Sequence, residues 1–368
     1  MKPPSTEVPA LQKHHCPACG AQATWDPGSR KLVCAFCGTE SPYVLDRETG
    51  AVAESDLAKA LRELPDAARG WESDRRSVQC ASCKAVMVFE AGRVGQNCEF
   101  CGSPSLVDYQ EIKAPIRPWG ILPFSVPETT VRESIRGWLR SRWFAPSDLK
   151  RKALVDRVKS LYIPYWTFDA RVRCPWEAES GTYYYVSEPF RDRSGRMQTR
   201  QVRKVRWTPA SGVLDHVFDD EPIPGTRGID RSLLAAVEPF PASGLVRYDT
   251  GFLSGHVVEH YQVVLLDAAR SVKESMHRKL EVLCGAAVPG DTYRNLVIHP
   301  EYSGETFRHI LVPVWLLTYG FRAKVFQVVV NGATGKMAGV YPKSVWKILF
   351  LVLGIGIVAL ILALLSQS

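Results

Sequence analysis

What the chain lacks narrows its chemistry first. Met1 to Leu11 contain prolines and polar side chains but no hydrophobic core of a secretory signal, which argues against export and against a framework of structural disulfides. No stretch reads G-x-x-x-x-G-K-[ST]. The nearest, Gly332-Ala333-Thr334-Gly335-Lys336, is followed by Met337 inside a strand-turn-strand pattern with no helix to open. A P-loop needs amides at a helix start to cradle phosphate and a hydroxyl to reach Mg2+, so the sequence argues against an autonomous helicase motor. No nucleophile stands beside an evident base partner. Polar side chains are missing altogether between Ile348 and Leu365.

What is present opens with cysteine. Cys16, Cys19, Cys34 and Cys37 form C-x2-C-x14-C-x2-C, and Cys80, Cys83, Cys98 and Cys101 repeat it with the same gap. Two chelating pairs of soft thiolates suit a closed tetrahedral Zn2+ site, so the spacing predicts two zinc ribbons with one structural zinc ion each. Redox disulfides and a rubredoxin-like iron are the competing readings. A catalytic zinc is disfavoured because four cysteines leave no position for water. His14 and His15 flank the first knuckle as surplus neighbours. Gly20, Gly38 and Gly102 directly follow a second cysteine, where the chain must turn tightly so that amides face sulfur, while Lys84 replaces glycine at the remaining knuckle. Asp26-Pro27-Gly28-Ser29 and Ala91-Gly92 read as the turns between strands. Units this short bury too little apolar surface to fold alone, so the metal is expected to supply most of their folding energy.

The eighteen residues from Ile348 to Leu365 would cover roughly 27 Å as a helix, enough to cross hydrocarbon. Lys343, Trp346 and Lys347 precede them and only Ser366, Gln367 and Ser368 follow. That asymmetry predicts a single-pass tail anchor in the inner or cytoplasmic membrane, with the N-terminal bulk in the cytoplasm. The net charge of +8 serves nucleic acid or an anionic leaflet equally and chooses neither.

The expected class is α+β. The boundaries read as zinc ribbon 1 over 1–45, a helical spacer over 46–76, zinc ribbon 2 over 77–113, an α+β body over 114–342 and the anchor over 343–368. Ser55 to Leu64 has the spacer's helical stripe. The proline-rich stretch Pro104 to Pro127 leads into the body. There, Ser125 and Glu128 suggest a capping box for a helix carrying Val131, Ile135, Trp138 and Leu139, and a second helix runs from Asp267 to about Cys284. Leu161 to Val172 and His309 to Phe321 read as strands, and Lys324 to Val340 as a hairpin turning at Asn331 to Gly335. Ile163-Pro164-Tyr165-Trp166 resembles Val312-Pro313-Val314-Trp315, which suggests two related α+β units packed sheet to sheet or sheet to helix, or chance likeness between aromatic strands. Their prolines suggest edges or bulges.

Tyr162 to Ala170, Trp207 to Gly212, Phe218-Asp219-Asp220, Thr306 to Trp315 and Val330 to Gly335 together resemble a group of uncharacterised bacterial zinc-ribbon membrane proteins. Some of that group carry a label borrowed from the primosomal replication helicase, protein N′ (replication factor Y). The resemblance covers roughly Ile121 to Lys347 and implies architecture more than activity. Glu238 to Tyr248 departs from the group's pattern.

Three further features invite chemistry. His256-Val257-Val258-Glu259-His260 matches the inverted zinc-protease motif H-x-x-E-H, but the valines favour a strand, which would hold the histidines about 13 Å apart. Arg191 to Trp207 is basic, and Arg200, Arg203, Lys204, Arg206 and Trp207 are candidate contacts for nucleic acid or lipid, or for Asp219, Asp220 and Glu221 of the same chain. Asp169, Asp219 and Asp220 are a candidate carboxylate set, and Cys174 and Cys284 read as small buried hydrophobes. The sequence therefore points to a non-enzymatic scaffold docking a protein partner at the membrane. The alternative is a nucleic-acid-binding protein tethered there, associated with replication or transcription.

Overall fold

The computed structural model describes residues 14–43, 52, 54–62, 76–89, 97–103, 105–108, 116–146, 158–191, 196–321 and 324–365. Met1 to Leu11, Leu64, the Ala91-Gly92 turn, positions 192–195 of the basic stretch, Pro104 and the body boundary near Ala114 lie outside the described residues. In the first ribbon, Ala23–Asp26 (β1) pairs antiparallel with Lys31–Cys34 (β2). Ser55–Asp56 (β3) leads into Leu57–Arg62 (α1), where Asp56 Oδ1 accepts from Lys59 N at 2.7 Å. The second ribbon holds Arg76–Cys80 (β4) between Val86–Phe89 (β5) and Leu106–Asp108 (β6).

The body continues through Gly120–Ile121 (β7), Glu128–Ser141 (α2), Lys159–Arg191 (β8) and Met197–Pro224 (β9). Arg231–Val237 (α3), Val246–Arg247 (β10), Val257–Val258 (β11), Leu265–Ala287 (α4) and Thr292–Ile298 (β12) follow. Glu301–Phe321 (β13), Lys324–Asn331 (β14), Met337–Gly339 (β15) and Val345–Leu365 (α5) complete it. Mixed α+β with mostly strands is the class observed. One sheet carries the body, running antiparallel through β9, β8, β13, β14 and β15.

The alternation along β13 explains why its apolar run is nearly continuous. Leu311, Trp315, Leu317 and Tyr319 face one cluster with α2, whereas Ile310, Val312, Val314 and Leu316 face another with α3 and the second ribbon. A strand covered on both sides needs apolar residues at every position, which is why its sequence shows no polar alternation. Farther along β8, the even positions from Trp166 to Ala178 meet the stripe Ala268, Val272, Met276, Leu280 and Cys284 of α4. Cys174 and Cys284 are buried there with sulfurs 3.7 Å apart.

Several sequence expectations are corrected. The two proline-tryptophan motifs do not mark separately packed sheets: Ile163 pairs directly with Val312 across one strand ladder. Their prolines sit in interior strands. Each falls where a neighbour leaves the ladder, after Tyr165–Pro224 and after Val314–Asn331, so little pairing is lost. The carbonyls of Pro164 and Pro313 still accept from Gly225 N and Gly332 N at 2.8 and 2.9 Å. The N-cap of α2 is Pro127 without a side-chain hydrogen bond, and Glu128 pairs instead with Arg132. The helical spacer is tied to the body, since β3 pairs with β13 and α1 buries Leu57 and Ala60.

Trp166 is wholly enclosed, donates from Nε1 to Val263 O at 2.8 Å and stacks on His309 at 4.7 Å between ring centres. Trp166→Ala is expected to cost about 3–5 kcal/mol, the usual toll of an aromatic cavity, seen as a lower denaturant midpoint at unchanged slope.

Candidate metal centres and the surfaces around them

Each cysteine set converges. All four sulfurs of a set lie within 4.8 Å of one another. Cys16 and Cys37 are 3.5 Å apart, Cys19 and Cys34 3.6 Å, Cys80 and Cys101 3.5 Å, and Cys83 and Cys98 3.5 Å. A tetrahedral ion with metal–sulfur bonds of about 2.3 Å sets its sulfurs about 3.8 Å apart, so each donor set fits one metal ion with all four positions filled. The Thr39 hydroxyl and amide draw Cys37 down to about 6. Hydrogen bonding with Cys83 draws Cys98 down to about 6. Cys19, Cys83 and Cys101 are pushed up within the same sets, so each cage holds protons that an incoming metal ion must displace.

The four knuckles are copies in backbone as well as spacing. Gly20, Gly38 and Gly102 adopt φ of 71°, 73° and 75°, and each donates its amide to the carbonyl of the knuckle's first cysteine at 2.7–2.9 Å. Lys84 does the same at φ 64° and 2.9 Å. The turn demands a left-handed residue whatever the side chain, so lysine there carries a steric cost that glycine avoids.

Both ribbons grip one short segment of the body. Trp25 of β1 donates from Nε1 to Phe124 O and from its amide to Ser254 O, both at 3.0 Å, and meets Phe252 edge-on. Ser254 Oγ returns a hydrogen bond to Ala23 O at 2.6 Å. At Gly255, φ is 87° and a Cβ would lie 2.6 Å from Thr24 Cγ2, so both conformation and space require glycine. Four residues on, Glu259 bridges Met87, and His260 N donates to Val86 O at 3.1 Å, seating the second ribbon.

The repeat then diverges at one residue. Phe100, between Cys98 and Cys101, is fully buried against Gly228, and Thr318 Oγ1 donates to its carbonyl. Phe36, at the equivalent place between Cys34 and Cys37, is 85% exposed. One knuckle is a plug in its own body; the other presents its ring to solvent. The sequence shows both phenylalanines, but only packing separates them.

The basic stretch forms part of an arm. Beyond Gly181, where β12 stops pairing, β8 and β9 continue alone to Arg191–Met197. Arg200 lies over Phe190 at 5.7 Å, Arg203 over Tyr183 at 4.3 Å and Arg206 over Tyr184 at 5.6 Å. Lys204 pairs with Glu188 at 2.7 Å, and Trp207 lies under Arg294 at 4.2 Å. The intramolecular partners are therefore Glu188 and aromatic rings, not the acidic turn: Asp220 pairs with Arg308 and Glu221 with Lys279. Asp169 and Asp220 do come together, with Asp169 Oδ1 accepting from Asp220 N at 2.8 Å and burial raising the Asp169 carboxyl to about 6. Asp219 is exposed and not joined to them.

The H-x-x-E-H residues do not assemble around an ion. His256 stacks on Phe124 at 4.5 Å and meets Tyr162 edge-on, whereas His260 lies close enough to His309 to lower its basicity. Among the described residues, the cysteine sets are the groups of three or more side chains placed to share a metal. Glu259 is buried and accepts from Thr226 Oγ1 at 2.9 Å and Gln262 Nε2 at 2.6 Å.

The apolar tail residues form α5, a 21-residue helix over Val345–Leu365. Its side chains are described as far as Ala359, and among the described residues no helix is long and apolar enough to cross a membrane.

No family model matches the chain, and no solved structure matches it. It is similar to an uncharacterized protein, YdjG, of Bacillus subtilis (strain 168), at 23% identity over 351 residues covering 91% of each chain.

Two outcomes follow from this geometry. Lys84→Gly should stabilise the second ribbon by about 1 kcal/mol, read as slower amide exchange there. The second concerns pH. Burial holds His256 to about 3, His260 to about 4 and His309 to about 3, against 6.5 for the free side chain. Below pH 6.5 the unfolded chain takes up protons the folded chain refuses, so these residues make stability fall as pH falls. Glu259, pushed up to about 8 by burial, acts oppositely, losing stability as pH rises toward 8. Neither ring nitrogen of His256 meets a hydrogen-bond partner. His256→Phe is therefore expected to stabilise at neutral pH by about 1 kcal/mol and to remove up to about 1.4 kcal/mol per pH unit of acid sensitivity, read by denaturant titration between pH 6.5 and 5.

Proposed function

We propose that this protein is a membrane-tethered, cytoplasm-facing scaffold whose cysteine ribbons each hold a structural zinc ion and whose first ribbon docks a protein partner. The observation that carries the reading is the pair Phe36 and Phe100: one motif, used twice, buried in one copy and 85% exposed in the other. An isolated aromatic ring on a rigid metal-closed knuckle costs little entropy to dock and has the character of an interface hot spot. The buried copy supplies the binding mode, a ring laid against glycine on a sheet-edge surface with a hydroxyl donated to its carbonyl. Four sulfurs per cage fill the coordination sphere, which suits holding rather than hydrolysis. The apolar α5 supports tethering, and its basic and aromatic approach residues Lys343, Trp346 and Lys347 support the cytoplasmic side for the body. The resemblance to bacterial zinc-ribbon membrane proteins agrees with this architecture.

A second reading, a nucleic-acid-binding protein held at the membrane, draws on the arm, which carries Arg191, Arg196, Arg200, Arg203, Lys204 and Arg206, with Lys204 paired to Glu188. A two-stranded ribbon is a shape that enters a major groove. Its cations, however, already lie over rings of the facing strand.

The deciding experiment crosslinks the intact protein in native membranes, beside Phe36→Ala and the doubly reversed Arg203→Glu, Lys204→Glu variant, with zinc counted in each purified sample. Two zinc ions per chain are expected throughout, with partner capture lost in Phe36→Ala alone. Undiminished capture by Phe36→Ala would overturn the docking role. Nucleic acid retained in a salt-dependent way by the wild type and lost on charge reversal would establish the second reading instead.

A further inference from the structure

The loop after α2 is fastened to the first turn of α5 by three successive carbonyls. Lys347 Nζ donates to Trp143 O at 3.0 Å and to Ala145 O at 2.7 Å, and Ser344 N donates to Phe144 O at 2.7 Å. The loop buries Ala145 but leaves Trp143 65% exposed. Its indole stands beside α5 and, with Lys347, Phe350, Leu351, Gly354, Ile355 and Val358, borders a groove of about 730 Å3.

The lining states what the groove accepts. All but two of those named groups belong to the apolar run of α5, and the charge is confined to one end, at Lys347. Arg142 lies at the same end, over Trp138 at 5.0 Å and Tyr341 at 5.7 Å. A long hydrocarbon wall with an ammonium and an indole at its mouth matches an amphiphile with an acyl chain and an anionic head. Trp143 is 65% exposed there, as is Trp346 in the first turn of α5, and tryptophan is a residue type enriched at membrane interfaces.

We propose that the Trp143 loop is a second membrane-inserting element, its indole entering the bilayer interface beside α5, and that the groove between them takes an acyl chain of a membrane phospholipid. This rests on the reading of α5 as a membrane anchor. Its consequence is orientation: a body clamped through Ser344 and Lys347 cannot swing on a loose linker, so the bilayer fixes which way the sheet points.

The full chain is reconstituted into phosphatidylcholine–phosphatidylglycerol vesicles carrying bromine at a shallow or a deep acyl carbon, and tryptophan quenching is compared between wild type and Trp143→Phe. Flotation with the vesicles and resistance to salt extraction report α5; the quenching difference reports Trp143. The expected result is co-flotation of both proteins and a Trp143 component quenched about twofold more by shallow than by deep bromine, as an interfacial indole should be. Lys347→Met, which frees the loop, is expected to abolish that component while flotation persists. A Trp143 component untouched by either lipid in a protein that floats would overturn this inference and leave the anchor standing. Failure to float would overturn both.

Discussion

Everything in this molecule is arranged around the antiparallel ladder between β8 and β13. Because both strands are covered on two faces, every residue from Leu161 to Phe168 and from Phe307 to Leu317 has an assigned neighbour or ladder partner, and a one-residue slip would exchange the two cores. That constraint gives α2 and the first ribbon one face, α3 and the second ribbon the other. Trp166 and Phe168 then extend the same alternation beneath α4.

The ribbons show how a metal-closed motif becomes part of a larger core. Each contributes buried side chains to the body, Trp25 and Leu32 on one face, Val78, Met87 and Phe100 on the other. Their meeting place is Asp249 to His260, where turns and one short strand offer backbone groups to both. Metal in either cage therefore bears on the same twelve residues. Glu259 is buried within that segment and both ring nitrogens of the half-buried His256 are shut off from solvent there, so polar cost concentrates where the ribbons meet.

The sequence disclosed what depends on spacing and concealed what depends on packing. Cysteine spacing located both cages and the glycines of three knuckles, because coordination geometry acts over a few residues. Lys84 in a left-handed turn was legible only as a missing glycine. The strands were legible from aromatic and β-branched content, but not their union in one sheet, since apolar runs look alike whether two strands pair or pack apart. The 33-residue length of β8 was hidden for a different reason: past Gly181 both of its faces become largely exposed, and only pairing with β9 continues the strand. Phe36 and Phe100 are indistinguishable by motif. Trp143 was silent because its importance lies in three backbone carbonyls.

The strand polarity finally sets the two ends of the molecule apart. β8 begins where Lys159 faces Leu316, close to the end of β13 at Phe321, and the chain leaving β15 heads to that end, with Tyr319 OH donating to Val340 O at 3.1 Å just before α5. From Lys159 the strand runs to Arg191, on the order of 100 Å of contour at about 3.3 Å per residue. The cationic arm thus lies at the opposite end of the sheet from α5. A surface so placed is badly positioned to share a contact with α5 and well positioned to reach something beyond the body. If α5 is held in a bilayer, the Trp143 clamp fixes the arm's direction with it, and of the contacts its charge allows, those with that bilayer are the ones its position disfavours.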